Sequence, residues 1–248
     1  MSASPLLGSP GIRHRLAQLE RKRLNFDLAA LADATPATGW TITDRCQPLP
    51  AEPPGMPAEE GSWQIARRLM RGYEFADPSI VRAYYDPDVP LEQRDMLLEL
   101  RALAIARLFV GVRVAEVYEV TRGPGGRRAR VWGWSYRTLE GHVEMGQMDW
   151  EVWKWLDDGR VEFRVHAVSR VAPIRNPIVW LGFHLLRGRE RRAFLDSTQH
   201  RMRTFTELAL SRSDPDRAIR EAAPTLMARP SRRDGPAHDA VARSIRRT

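Results

Sequence analysis

The chain has 248 residues, 43% apolar and 28% charged, with one cysteine and a formal net charge of +8, which predicts a soluble globular protein of one or two domains. No run of eighteen apolar residues occurs, and the longest, Ile178 to Leu186, is short and contains His184, so no membrane span is expected. Met1 to Arg15 lacks the order of an export signal, and the lone Cys46 excludes an internal disulfide or a cysteine-cluster metal site; both fit a cytoplasmic protein.

Of the 39 basic residues 37 are arginine, a skew that reads as composition more than as a polyanion surface, so nucleic acid is not an expected partner. Residues 177–248 hold fifteen arginines against eight acidic residues, +7 of the +8. The charge is therefore expected at the periphery, away from the strands that carry the aromatic residues.

In chain order, residues 1–10 have no periodicity and read as a disordered lead. Leu16, Leu19, Leu24, Leu28 and Leu31 recur at spacings of three to five and predict an amphipathic helical arm over 11–45. Five prolines between Cys46 and Gly61 predict a linker over 46–60. The compact part, 61–210, opens with a helix whose face carries Trp63, Ala66, Met70 and Tyr73. Asp77-Pro78 reads as the start of a short helix through Ile80, Val81 and Tyr84. A longer helix is expected over about 91–109, striped by Met96, Leu100 and Leu103.

After Gly111 the period switches to two. Runs at 112–120, 129–139, 147–156 and 161–169 predict an antiparallel meander of at least four strands, with hairpin turns at Gly123 to Gly126 and Asp157 to Gly159. Val161, Phe163, Val165 and Ala167 are assigned to one face, and Glu162, Arg164 and His166 to the other. A long helix follows over about 177–210, and 211–248 reads as a disordered basic tail. The fold class is α+β, an antiparallel meander gripping a long C-terminal helix.

The residues Tyr136, Thr138-Leu139, Gly141-His142, Glu144, Gly146 and Ser169-Arg170, in that order, resemble a bacterial family known only as a domain of unknown function, number nineteen-ninety of its series. The resemblance spans roughly 61–210 and implies a fold more than an activity; Arg137 stands where many members of that family carry glycine. The element order also looks like the helix-grip architecture of START-type and plant-allergen-type carriers, which implies a cavity between sheet and last helix.

Glu140, His142 and Glu144 share one side of an extended loop, a pattern suited to acid-base chemistry or to a solvent-exposed hairpin. Asp149 and His166 are further metal-ligand candidates with no evident place beside that loop; the spacing matches no zinc or iron motif, and no metal or cofactor is expected. Trp134 and Tyr136 share a strand face and, with Trp150, are candidate walls of an apolar pocket, with His142 and Arg137 as polar anchors. Ser169 has no nucleophile elbow and reads as a strand-end cap, and Arg170 is expected in an ion pair, for instance with Glu144. Arg187, Arg189, Arg191 and Arg192 read as a solvated helix flank. The leading expectation is a small-molecule binding module for an apolar ligand; the alternatives are an acid-base enzyme using His142 with Glu140 or Glu144, and a module that docks a protein partner through exposed aromatics.

Overall fold

The computed structural model describes residues 10–102, 106–174 and 177–229, and for Pro10, Ala102, Ala106 and 177–186 the backbone alone. Helices α1 (Pro10–Ala17) and α2 (Ala29–Ala32) precede strand β1 (Thr41–Leu49) and helix α3 (Ser62–Arg71). Strands β2 (Val81–Tyr84), β3 (Asp95–Ala102), β4 (Ala106–Arg122), β5 (Ala129–Thr138), β6 (Glu144–Trp155) and β7 (Val161–Val171) follow in turn. Helices α4 (Pro177–Ser211) and α5 (Pro215–Ala222) close the chain. One seven-stranded antiparallel sheet runs in the order β1-β7-β6-β5-β4-β3-β2: a meander from β2 to β7, with β1 added against β7.

The α+β class, the antiparallel sheet and the long C-terminal helix match the sequence expectation. Four local readings are corrected. The segment expected as a helix over 91–109 forms β3 and the start of β4, paired from Asp95 with Arg113 to Ala102 with Ala106. Its two faces are both buried: Met96, Leu98 and Val110 join the main core, while Leu97 and Phe109 pack with Leu19 and Leu139 on the other side. A strand covered on both faces reads as a continuous apolar run, which helical spacing also fits. The short helix after Asp77 is a single turn that enters β2, where Val81 pairs with Leu100.

In the arm, Asp27 accepts from the Ala29 amide at the start of a four-residue helix and the chain then extends as β1, so Cys46 to Leu49 belong to a strand and not to a linker. The proline-rich stretch beyond it is held by charge. Glu52 accepts from the Trp63 amide at 2.8 Å, at the start of α3, and lies 3.5 Å from the fully buried Lys154 ammonium, which also donates to the Pro53 carbonyl. The region expected as tail from 211 begins with α5, whose Ile219 is fully buried. Residues 1–9 of the expected lead and 230–248 of the expected tail lie outside the described residues.

Helices α3 and α4 cover the inner face of the sheet. On the outer face Arg164 lies 4.1 Å from the Trp153 ring centre and Arg127 4.3 Å from that of Trp155, so guanidinium planes shield two tryptophans from water. Among the described residues no helix is long and apolar enough to cross a membrane. The buried Glu52–Lys154 pair gives a test: Lys154→Ala strands a desolvated carboxylate and is expected to lower unfolding free energy by about 3 kcal/mol in urea denaturation.

Candidate functional site

Alternation along β5 and β6 turns Trp132, Trp134, Tyr136, Trp150 and Val152 toward the face roofed by α3 and α4. Trp150 is the centre of this seam: it stacks on Phe163 at 6.0 Å and meets Phe75 at 4.6 Å, Tyr73 at 6.1 Å and Phe194 of α4 at 6.2 Å. Thr198 sits on the sheet-facing stripe of α4, between Leu195 and Met202.

Two features depart from an ordinary apolar core. The indole nitrogens of Trp134 and Trp150 and the Thr198 hydroxyl are buried with no hydrogen-bond partner among the described residues, and the buried Tyr73 hydroxyl faces that of Tyr136. Buried donors are normally paired, since desolvation is otherwise uncompensated. Tyr73 also adopts φ 57°, the one positive φ among described non-glycine residues, a conformation that persists only when its surroundings impose it. Burial pushes the Tyr73 and Tyr136 hydroxyls well above their ordinary range, so both stay neutral donors. The Tyr136 hydroxyl reaches the Met148 sulfur at 3.2 Å.

The edge of the seam is ionic. Glu144, at the head of β6, meets Arg187 at 2.5 Å and Arg191 at 3.6 Å, and Arg191 also donates to Ser169 at 2.8 Å and Thr43 at 2.9 Å. The partners of Glu144 are thus two arginines of α4 expected to be solvated, and Arg170 lies instead 4.8 Å from the Trp40 ring centre. Ser169 is a hydrogen-bond acceptor at the strand end, as its surroundings in the sequence suggest.

The three groups of the expected acid-base loop diverge. The Glu140 carboxylate accepts from the Arg23 amide at 3.3 Å, Glu144 turns to α4, and His142 Nδ1 accepts from the Glu144 amide at 2.9 Å. Asn25 donates to the Glu144 carbonyl at 2.9 Å and Lys22 to that of Glu140 at 2.9 Å, so the arm clamps this loop. Burial lowers the His142 pKa to about 4, and the ring is neutral near pH 7. Arg137 is on the outer face, donating to Gln147 at 2.7 Å, across the sheet from Trp134 and Tyr136. Strand parity, odd against even, already carried that separation.

The outer face holds a groove of about 640 Å³ over β1, β7, β6 and β4, bordered by Leu31 of α2. Strand register lines up Asp44, His166, Asp149, Ser135 and Glu116 in one cross-strand row. His166 Nδ1 is 2.7 Å from Asp44, and Gln147 donates to Asp149 at 2.8 Å. Burial raises the Asp149 pKa, opposed by the Gln147 hydrogen bond. In the next row Tyr118 crosses Gly133 to bond Glu151; a Cβ at Gly133 would lie 2.8 Å from the Tyr118 ring. The structure therefore unites Asp149 with His166, away from the His142 loop, and among the described residues no group of three His, Cys, Asp or Glu is arranged to hold a metal. The exposed Cys46 borders the same groove, its thiol pushed up by burial and by Glu162. Asp44 was hidden because its segment reads as helical arm; the alternation that places Arg164 and His166 outward was the available signal.

The family model described as a domain of unknown function, DUF1990, matches residues 27–203. A search of the curated proteins returned no match.

His142 supplies a pH test. Its folded pKa lies below the ordinary 6.5, so the unfolded chain takes up a proton first as pH falls, and stability declines between pH 6.5 and 4. With allowance for partial exposure of the ring the loss is about 2 kcal/mol, and in His142→Gln the denaturation midpoint is expected to vary less across that window.

Proposed function

The chain belongs to the DUF1990 family, and on that premise we propose a binding protein for a small, largely apolar molecule that carries a hydrogen-bond acceptor, held between the sheet and α4. One observation carries the reading: Trp134, Trp150 and Thr198 hold buried, unpartnered polar atoms within an otherwise aromatic seam. An acceptor-bearing ligand would partner these donors, while Tyr136, Phe75 and Phe163 supply the apolar wall. The resemblance to helix-grip carriers leads to the same place in the fold. The ionic edge formed by Arg187, Arg191 and Glu144 favours an acceptor with anionic character, such as a carboxylate.

Because a hydroxyl without a partner costs more than its absence, Thr198→Val is expected to leave the ligand-free protein equally stable or more stable by about 1 kcal/mol. The same variant is expected to weaken decanoate binding, read by tryptophan fluorescence, about five- to tenfold. Decanoate that gives no saturable signal, together with a Thr198→Val variant that loses stability, would overturn the reading. Native mass spectrometry of the purified chain checks it independently, through a co-purifying small molecule.

A further inference from the structure

The seam has two ends along α4. Glu144, Arg187 and Arg191 form the ionic one, and Arg201, about 15 Å further along the helix axis than Arg191 at 1.5 Å per residue, marks the other. We propose that residues 212–229, which cover this second end, are a lid that opens as a unit to let a ligand reach the seam. The proposal rests on the reading of the seam as a binding site and concerns the route into it.

This strap lies beyond the residues that the family model matches, 27–203. It leaves α4 through an exposed link, 211–214, and returns along that helix, with the Ala223 carbonyl at Arg201 and Arg229 at Glu190. Its apolar hold is small: Ile219 and Ala223 are buried, and Leu226 packs against the same core. Polar anchors supply the rest. The fully buried Arg201 donates to the carbonyls of Ala223 at 3.1 Å and Leu226 at 3.4 Å, and the buried Asp77 carboxylate accepts from the Ala228 amide at 2.7 Å. The Ser79 hydroxyl accepts from the Arg229 amide at 3.1 Å, and Arg229 closes the end with hydrogen bonds to Glu190 at 2.7 and 3.0 Å. A segment held in this way opens at a lower free energy than strands packed on both faces. Water can replace the strap at Arg201 and Asp77, so opening leaves neither charge buried and unpaired.

The same anchors reach the aromatic rings. Arg201 also donates to the Glu74 carbonyl at 3.4 Å, so one buried guanidinium joins the strap to the turn between α3 and β2. Asp77 and Ser79 belong to that turn, and Asp77 accepts from Ser197 of α4 at 2.8 Å as well. Tyr73 and Phe75 flank Glu74, and their rings lie 6.1 and 4.6 Å from that of Trp150. Tyr73 holds its φ of 57° only while its neighbours impose it. Release of the strap removes two of the carbonyls around Arg201 and one of the donors to Asp77, and with them the restraint on the turn. The strained Tyr73 then relaxes, and the two rings that close the seam over Trp150 can part from it. Lid and wall are therefore one mechanical unit, hinged at 211–214.

The test has two arms on the full chain. In hydrogen exchange read by mass spectrometry, without ligand, 215–228 and 73–79 are expected to exchange together and at least about tenfold faster than β5 to β7. Arg229→Ala is expected to speed both segments about tenfold and to leave the sheet unchanged; Glu190→Gln breaks the same pair from α4 and decides the matter should Arg229→Ala not fold. In stopped-flow tryptophan fluorescence, the association and dissociation rates of decanoate are expected to rise by a similar factor in these variants, with the dissociation constant unchanged within about twofold, as a gate in front of a site requires. A strap that exchanges no sooner than the sheet, segments that exchange independently, or faster opening with an unchanged association rate overturns the lid while decanoate binding still stands. Joint opening in a chain that binds no decanoate overturns the seam reading instead, and the entry role with it.

Discussion

The central sheet carries large apolar side chains on both faces, and the rest of the chain is arranged to cover it twice. Trp134, Trp150, Val152 and Phe163 point inward and are roofed by α3 and α4. Leu97 and Leu139 point outward and are capped by the arm, where Leu19 is 1% exposed. The arm approaches so closely that a Cβ at Gly111 would lie 2.5 Å from Leu19. Trp153 and Trp155 form a separate cluster and are sheltered by arginine planes. A sheet covered on one side only would leave an apolar surface of the kind that soluble proteins avoid.

The same requirement explains the arginines. Several of those that give the C-terminal third its positive charge are structural and not peripheral. Arg201 is fully buried, donates to the carbonyls of Ala223 and Leu226, and lies 4.7 Å from the Phe205 ring centre. Burial lowers its pKa to about 10, with Asp77 and Glu74 opposing the shift. Arg229 grips Glu190 through two hydrogen bonds, and Asp77 accepts from Ser197 and from the Ala228 amide. The segment after α4 is thereby fastened to the same core. Long side chains with several donors can satisfy carbonyls that no backbone partner reaches.

The two faces also divide the chemistry. The inner seam is aromatic, with neutral donors in want of an acceptor; the outer groove is a carboxylate-imidazole row with most of its neighbouring cations already committed. Neither arrangement coincides with the loop around His142, whose polar groups serve to hold the arm. A motif rich in titratable residues can thus be spent on architecture.

The sequence by itself determined the elements whose local signal is unambiguous: the meander from β5 to β7, the parity that separates Trp134 and Tyr136 from Arg137, the helix at 62–71 and the long helix to Ser211. It also placed Trp150 on the opposite face from Trp153, because alternation is a property of the backbone. Only the tertiary structure decided that 95–102 and 106–109 are strand, since a segment buried on both faces loses the alternation that would announce it. Only it could bring Asp44 beside His166, 122 residues away in the chain, because β1 pairs with the last strand and no local pattern encodes a long-range register.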